Sequence, residues 1–170
     1  MQRTETLIIK VLQPTVRKAR WLDTMADLFS QSVQLALDSA HTLRTSSRAS
    51  IHKVSYHPIR EQFALPADYA RMAVNAAVSL ARSYDGLRHS AHQRETAFPT
   101  VNGSQGIGLG VNAYRLVERG ERWMLRVSTG TRGDYVWLPL CVPGRLRDQM
   151  RLVYGDAKLF KRGADWYVMW

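Results

Sequence analysis

A chain of 170 residues has room for one domain, or for one domain carrying a large insertion. Its 24 lysines and arginines against 14 acidic residues leave a net charge of +10, and since only Lys10, Lys18, Lys53, Lys158 and Lys161 are lysines, the excess is mostly arginine, whose planar fork suits phosphates and base edges. One cysteine, Cys141, excludes an intramolecular disulfide and a multi-cysteine zinc site, and with no apolar run of about 18 residues and no signal sequence at the start, a soluble cytoplasmic protein is expected.

Thr4–Gln13 places Leu7, Ile9 and Val11 on one side of an extended chain, which predicts a strand. Pro14 ends it and Thr15 offers a helix cap. From Val16 to Leu43, the residues Leu22, Met25, Phe29, Val33, Leu37, Ala40 and Leu43 recur in steps of three and four, predicting one helix of about seven turns. Arg17, Lys18 and Arg20 fall in its first turns, where the helix dipole disfavours positive charge; they form either a solvated face or a group of phosphate contacts. Residues 45–50 read as a polar linker, and Ser55–Phe63 as a short helix with Pro58 in its first turn, broken by Leu65-Pro66. Ala67–His89 predicts a second long helix. Tyr69, Met72, Ala76, Leu80 and Tyr84 make one stripe, and Ala70, Ala73, Ala77 and Ala81 allow close packing. Tyr56, Tyr69 and Tyr84 are expected first in core or seam positions and only second as base-stacking platforms.

Gly106, Gly108 and Gly110 suggest a phosphate loop but lack its lysine and its strand-to-helix setting, so a flexible crossover is predicted there. Beyond it, 112–117, 122–128, 134–140, 157–160 and 166–170 read as strands, with turns at Arg119-Gly120, 129–133 and Arg162-Gly163. Pro143-Gly144 opens a small helical or loop segment over 145–152. Cys141, inside the apolar run 137–142, reads as a buried thiol. A lone N-terminal strand needs partners, which the later strands can provide. The predicted fold is therefore α+β: a split OB-like antiparallel β-barrel from residues 1–14 and 97–170, with residues 15–96 inserted as a helical module after the first strand. OB-like barrels bind nucleic acid along one face.

The chain offers no catalytic set. His41, His52, His57, His89 and His92 form no HExxH pair, and His89 and His92 lack a carboxylate partner, so no metal or other cofactor is indicated. Asp23/Asp27 and Glu118/Glu121 lie near arginines and read as surface ion pairs, and no nucleophile elbow is present. Arg115, Arg122, Arg126 and Arg132 interleave with Tyr114, Trp123, Tyr135 and Trp137. Two arrangements produce that texture. Arginines on phosphates and rings on bases would make a strand-binding surface, whereas plain alternation would turn the rings into the core and the arginines to solvent.

The order of blocks resembles the N-terminal half of the TnpB-type (OrfB) transposon-encoded RNA-guided nucleases and their relatives, the small type V CRISPR effectors. The likeness lies in the first strand with Pro14-Thr15 and a long helix, in Ile59–Val78 with its Leu65-Pro66 break and alanine-rich helix, in Leu109–Leu116, and in the closing pair 158–160 and 166–168. The resemblance implies a wedge-type barrel with an inserted recognition domain that holds a guide RNA scaffold and target DNA, base pairing supplying specificity and the protein charge and shape. In that family a nuclease half with three acidic residues and paired cysteines follows, and Trp170 falls at the handover. The implied chain is a prokaryotic, non-catalytic binding half, partnered by a separate nuclease subunit or a missing C-terminal half. Expected phosphate contacts come from Lys10, Arg17, Lys18, Arg20, Arg44, Arg48, Lys53, Arg115, Arg126, Arg132, Lys158, Lys161 and Arg162. The alternative is an interaction subunit docking on a nuclease or transposase through the apolar segment Trp166–Trp170.

Overall fold

The fold is given by a computed structural model, which describes residues 6–89 and 97–170. In chain order it consists of β1 (Ile8–Val11), α1 (Val16–Leu43), α2 (Arg48–Phe63), α3 (Ala67–His89), β2 (Ile107–Leu109), β3 (Tyr114–Arg119), β4 (Arg122–Ser128) and β5 (Tyr135–Cys141). A 3-10 turn at Gly144–Leu146 leads into α4 (Arg147–Arg151), followed by β6 (Ala157–Arg162) and β7 (Asp165–Met169). The chain divides into two compact units, Met1–Ala26 with Gly106–Trp170, and Asp27–Gln105, the first boundary falling within α1.

In the first unit the strands form one seven-stranded sheet in the order β2-β6-β7-β1-β5-β4-β3, with antiparallel neighbours throughout. Strict alternation explains why these segments pair. In β4, Trp123, Leu125 and Val127 are buried, while Arg122, Met124, Arg126 and Ser128 point the other way. The inner face continues through Ile9, Val11, Leu138, Leu140, Leu159, Trp166 and Val168, and the unit's buried set also takes in Leu22, Met25 and Ala26 of α1 and Met150 of α4. The helical or loop segment expected after Pro143 is the 3-10 turn and α4.

The OB-like barrel is overturned, because the sheet is open. β2 and β3 are its two edges and do not pair with each other, although only residues 110–113 link them. The hydrogen bonds of that link account for the gap. Ala113 N–H donates to the Gly110 carbonyl, and Ser128 N–H donates to the Ala113 carbonyl, both at 2.8 Å. The turn thus hands the chain to β4, and the outer edge of β2 gains no ladder of the kind a barrel requires.

Further corrections concern local signals. The glycine segment expected as a crossover contains β2, with Ile107 and Leu109 fully buried and Gly108 in register with Lys158. At Gly106, φ is +73° and an added Cβ would run into the Leu159 carbonyl, so glycine here reflects close backbone approach rather than flexibility. The first strand starts at Ile8, while the expected start at Thr4 lies outside the described residues. Cys141 is exposed, because it stands on the outward side of β5.

The second unit is helical. α2 begins at Arg48, inside the expected linker, because Ile51, Ser55 and Ile59 recur every four residues and are buried. Pro58 consequently lies inside the helix rather than in its first turn. It leaves the Val54 carbonyl without its helical donor, and both residues are exposed, so solvent can meet that carbonyl. Along α3 the buried side is Tyr69, Ala70, Ala73, Val74, Ala77, Val78 and Ala81, and the expected stripe through Met72, Ala76 and Leu80 is only half-buried. The small alanines let α2 approach α3 closely. After the undescribed residues 90–96 the chain returns along α1, where Val101 N–H donates to Gln34 Oε1 and Gln105 N–H to Ser30 Oγ. Phe98 stacks on His41 and meets the edge of Tyr84. No helix among the described residues is long and apolar enough to cross a membrane.

Two stability predictions follow from this packing. Gly106→Ala should destabilise the chain by about 2–4 kcal/mol in urea unfolding, since it adds both a positive-φ penalty and an overpacked contact. Burial pushes the Tyr69 phenol well above its usual 10.0. The folded chain therefore keeps this proton when the unfolded chain gives it up, and stability falls as pH rises beyond 10.0. Urea midpoints measured on either side of that pH should decline less steeply in Tyr69→Phe than in the wild type.

Candidate nucleic-acid interface

The outward positions of the sheet carry its charge. On one side, β3 presents Arg115 and Arg119, β4 presents Arg122 and Arg126, and β5 presents Tyr135, Trp137, Pro139 and Cys141. Arg115 pairs in register with Arg126, and Arg126 with Trp137, forming a row across three strands. The rings lie under the guanidinium groups. Arg119 is 4.4 Å from the Trp137 ring centroid and Arg126 is 4.3 Å from that of Tyr135.

On the other side, β6 presents Lys158, Phe160 and Arg162, and β7 presents Asp165 and Tyr167. Phe160 and Tyr167 stack at 5.7 Å, and the Arg162 guanidinium lies 5.8 and 5.7 Å from their centroids. Lys158 is half-buried opposite Gly108, and burial pushes its ammonium below the usual lysine value. Between the two clusters runs β1. Phe160, Tyr167, Lys10 and Cys141 are aligned across β6, β7, β1 and β5. The hydrogen bond from Lys10 Nζ to Asp165 Oδ2, 2.6 Å long, raises the lysine above its usual value.

The expected phosphate contacts thus separate by position. Arg115, Arg126, Lys158 and Arg162 share this face with Lys10, which Asp165 already engages. Arg132 is exposed in the β4–β5 loop. Arg17 and Arg20 are exposed on α1, beside Val16, Trp21 and Thr24 in a shallow groove. Two residues do other work. Lys18 Nζ donates to the Trp137 carbonyl at 2.6 Å, and Lys161, on the opposite phase of β6, pairs with Asp23 at 2.9 Å. Arg44, Arg48 and Lys53 are exposed in the helical unit.

The two arrangements of rings divide between the faces. Tyr114 and Trp123 turn inward and are buried, whereas Tyr135 and Trp137 lie among the arginines. Arg119, Phe160 and Tyr167 belong to the same surface and were missing from the expected set. Writing β6 with period two, as Lys158, Phe160 and Arg162, exposes the pattern directly. Trp166 and Val168, proposed above as part of a docking segment, fill the core instead, and Trp170 is tied by reciprocal backbone bonds to Leu7.

Histidines stand in other settings. His52 stacks on Tyr56, His57 meets its edge, and His89 Nδ1 lies against the Asp85 carbonyl. His92 lies outside the described residues. No group of three or more metal-ligating side chains occurs among the described residues.

The arginine–ring pairs should be measurable in the free protein. A double-mutant cycle with Arg126→Met and Tyr135→Leu, followed by urea unfolding, should return a coupling of about 0.5–1 kcal/mol, as exposed cation–π pairs do. No known family model matches this chain and no curated protein is significantly similar to it, so the assignment of this face rests on its own chemistry.

Proposed function

We propose that this chain is a nucleic-acid-binding module that holds a single-stranded stretch of RNA across the outward face of its sheet. The observation that carries the proposal is the layering of Arg119 and Arg126 on Trp137 and Tyr135, repeated by Arg162 on Phe160 and Tyr167. Guanidinium groups meet phosphates, and flat rings offer every base a stacking surface without demanding a sequence. The net charge of +10 favours the same partner by releasing counterions on binding. We extend the proposal, on the strength of the block resemblance, to a guide RNA and its target DNA in a prokaryotic cytoplasm. In that setting the chain binds while a separate polypeptide or a further segment cuts.

Fluorescence anisotropy with labelled single-stranded RNA, hairpin RNA and duplex DNA tests this. Single-stranded RNA should bind at low salt and weaken about 100-fold between about 50 and 200 mM, as expected for roughly five neutralised phosphates. Trp137→Ala and Arg126→Ala should each weaken it about tenfold. Lys18→Ala should leave the salt slope unchanged and lower stability instead, because that ammonium serves the Trp137 carbonyl. Absence of low-salt binding to all three ligands would sink the proposal.

A further inference from the structure

A cavity of about 540 Å³ opens at the free edge of β3. Leu116, Glu118 and Trp123 line it from the sheet, and Arg151 and Tyr154 from α4 and the segment beyond. Arg115, whose strand position belongs to the outward face, also reaches it.

Three features of this cavity are unlike a packing defect. Tyr154 is 88% exposed, so its ring is displayed at the rim, which Val111, 53% exposed, also lines. Arg151 is held in place by Glu118 at 3.2 Å and Asp148 at 3.4 Å. Trp123 is buried, and its Nε1–H has no acceptor among the described residues. A buried donor left unmatched in the wall of a cavity calls for an acceptor from outside. The neighbouring Tyr114 hydroxyl is not such a group, since it donates to the Gly155 carbonyl and accepts from Trp170 Nε1.

We propose that the cavity receives the base of one unpaired nucleotide, splayed out of the RNA strand that crosses the outward face. This rests on the reading of that face given above. Arg115 links the two places, because it stands both in the row Arg115, Arg126 and Trp137 and at the cavity mouth. It holds the phosphate where the strand turns the β3 edge. The displaced base stacks on Tyr154 and takes a hydrogen bond from Trp123 Nε1–H. A freely diffusing planar ligand would have no use for the arginines Arg115 and Arg126 that lead to the site. Unpaired bases are what proteins read when they distinguish RNA sequences, by stacking and by edge hydrogen bonds.

The test uses the full chain and labelled dodecamers of uridine, adenosine and cytidine, with an abasic dodecamer as the control, read by anisotropy. Circular dichroism checks that each variant is folded. Tyr154→Ala should weaken the base-bearing oligomers about tenfold and leave the abasic one unchanged. Trp123→Phe keeps a ring and removes the donor, and should erase about a fivefold preference of the wild type among the three bases. Equal losses on all four ligands, or none on any, would overturn the cavity proposal. Binding that depends on Trp137 and Arg126 but ignores Tyr154 would overturn the cavity alone. Failure of the wild type to bind any dodecamer at low salt would bring down the strand-binding reading and the cavity with it.

Discussion

The position of β1 between β5 and β7 is the constraint on which the sheet depends. The two groups β5-β4-β3 and β7-β6-β2 share no ladder except through this short strand, which pairs with Cys141 and Leu140 on one side and with Met169, Val168 and Tyr167 on the other. Its exit shapes what lies beside it. Pro139 sits in a central strand, where a missing N–H would normally break the ladder. It is tolerated because β1 is ending there: Val11 is the last residue paired with β5, and Leu12 N–H still donates to the Pro139 carbonyl. The next carbonyl on that side, Trp137, is then met by the Lys18 ammonium from the first turn of α1. A lysine that looks like part of a basic cluster is thereby a replacement for a strand.

The same strand organises the charge. Lys10 and Asp165 neutralise each other near the middle of the outward face, leaving the arginines concentrated around Trp137 and Tyr135 and around Phe160 and Tyr167. Each exposed cation–π pair contributes only about 0.5–1 kcal/mol, too little to make these pairs pillars of the fold. Their effect is on order. The guanidinium groups are held near the ring faces, so under the proposed function less conformational entropy would be lost when the strand binds.

Much of this was legible in the sequence where one local signal dominated. The apolar steps from Leu22 to Ala40 are the buried stripe of α1, and the expected strand 122–128 is β4, whose alternating burial selects between the two arrangements left open for Trp123. Signals failed where two meanings share one composition. The segment 106–110 is rich in glycine both as a loop and as a strand whose backbone must lie close to its neighbour, and only the Leu159 carbonyl decides between them. Pro58 reads as a helix start, yet the burial of Ile51 and Ser55 carries the helix back past it. Barrel closure was beyond local signals altogether. It depends on whether the 110–113 turn feeds β3 toward β2 or toward β4, which its two backbone hydrogen bonds determine. Of the candidate surface, the arginines of β3 and β4 were visible as interleaving, but their alignment with Trp137 required the register.

The central placement of β1 also sets an order of events during synthesis. β1 is made before both of its partners, which exist only once residues 135–141 and 165–169 have been synthesised. Until then Ile9 and Val11, buried in the folded sheet, have no ladder to join. The pairing that joins the two halves of the sheet spans more than nine-tenths of the chain, as the contact between Lys10 and Asp165 illustrates with a separation of 155 residues. Such distant closures are slow, because the loop entropy is lost before the contacts are gained. The helices of the second unit, built from near neighbours, can form while the sheet is still waiting for its last strand.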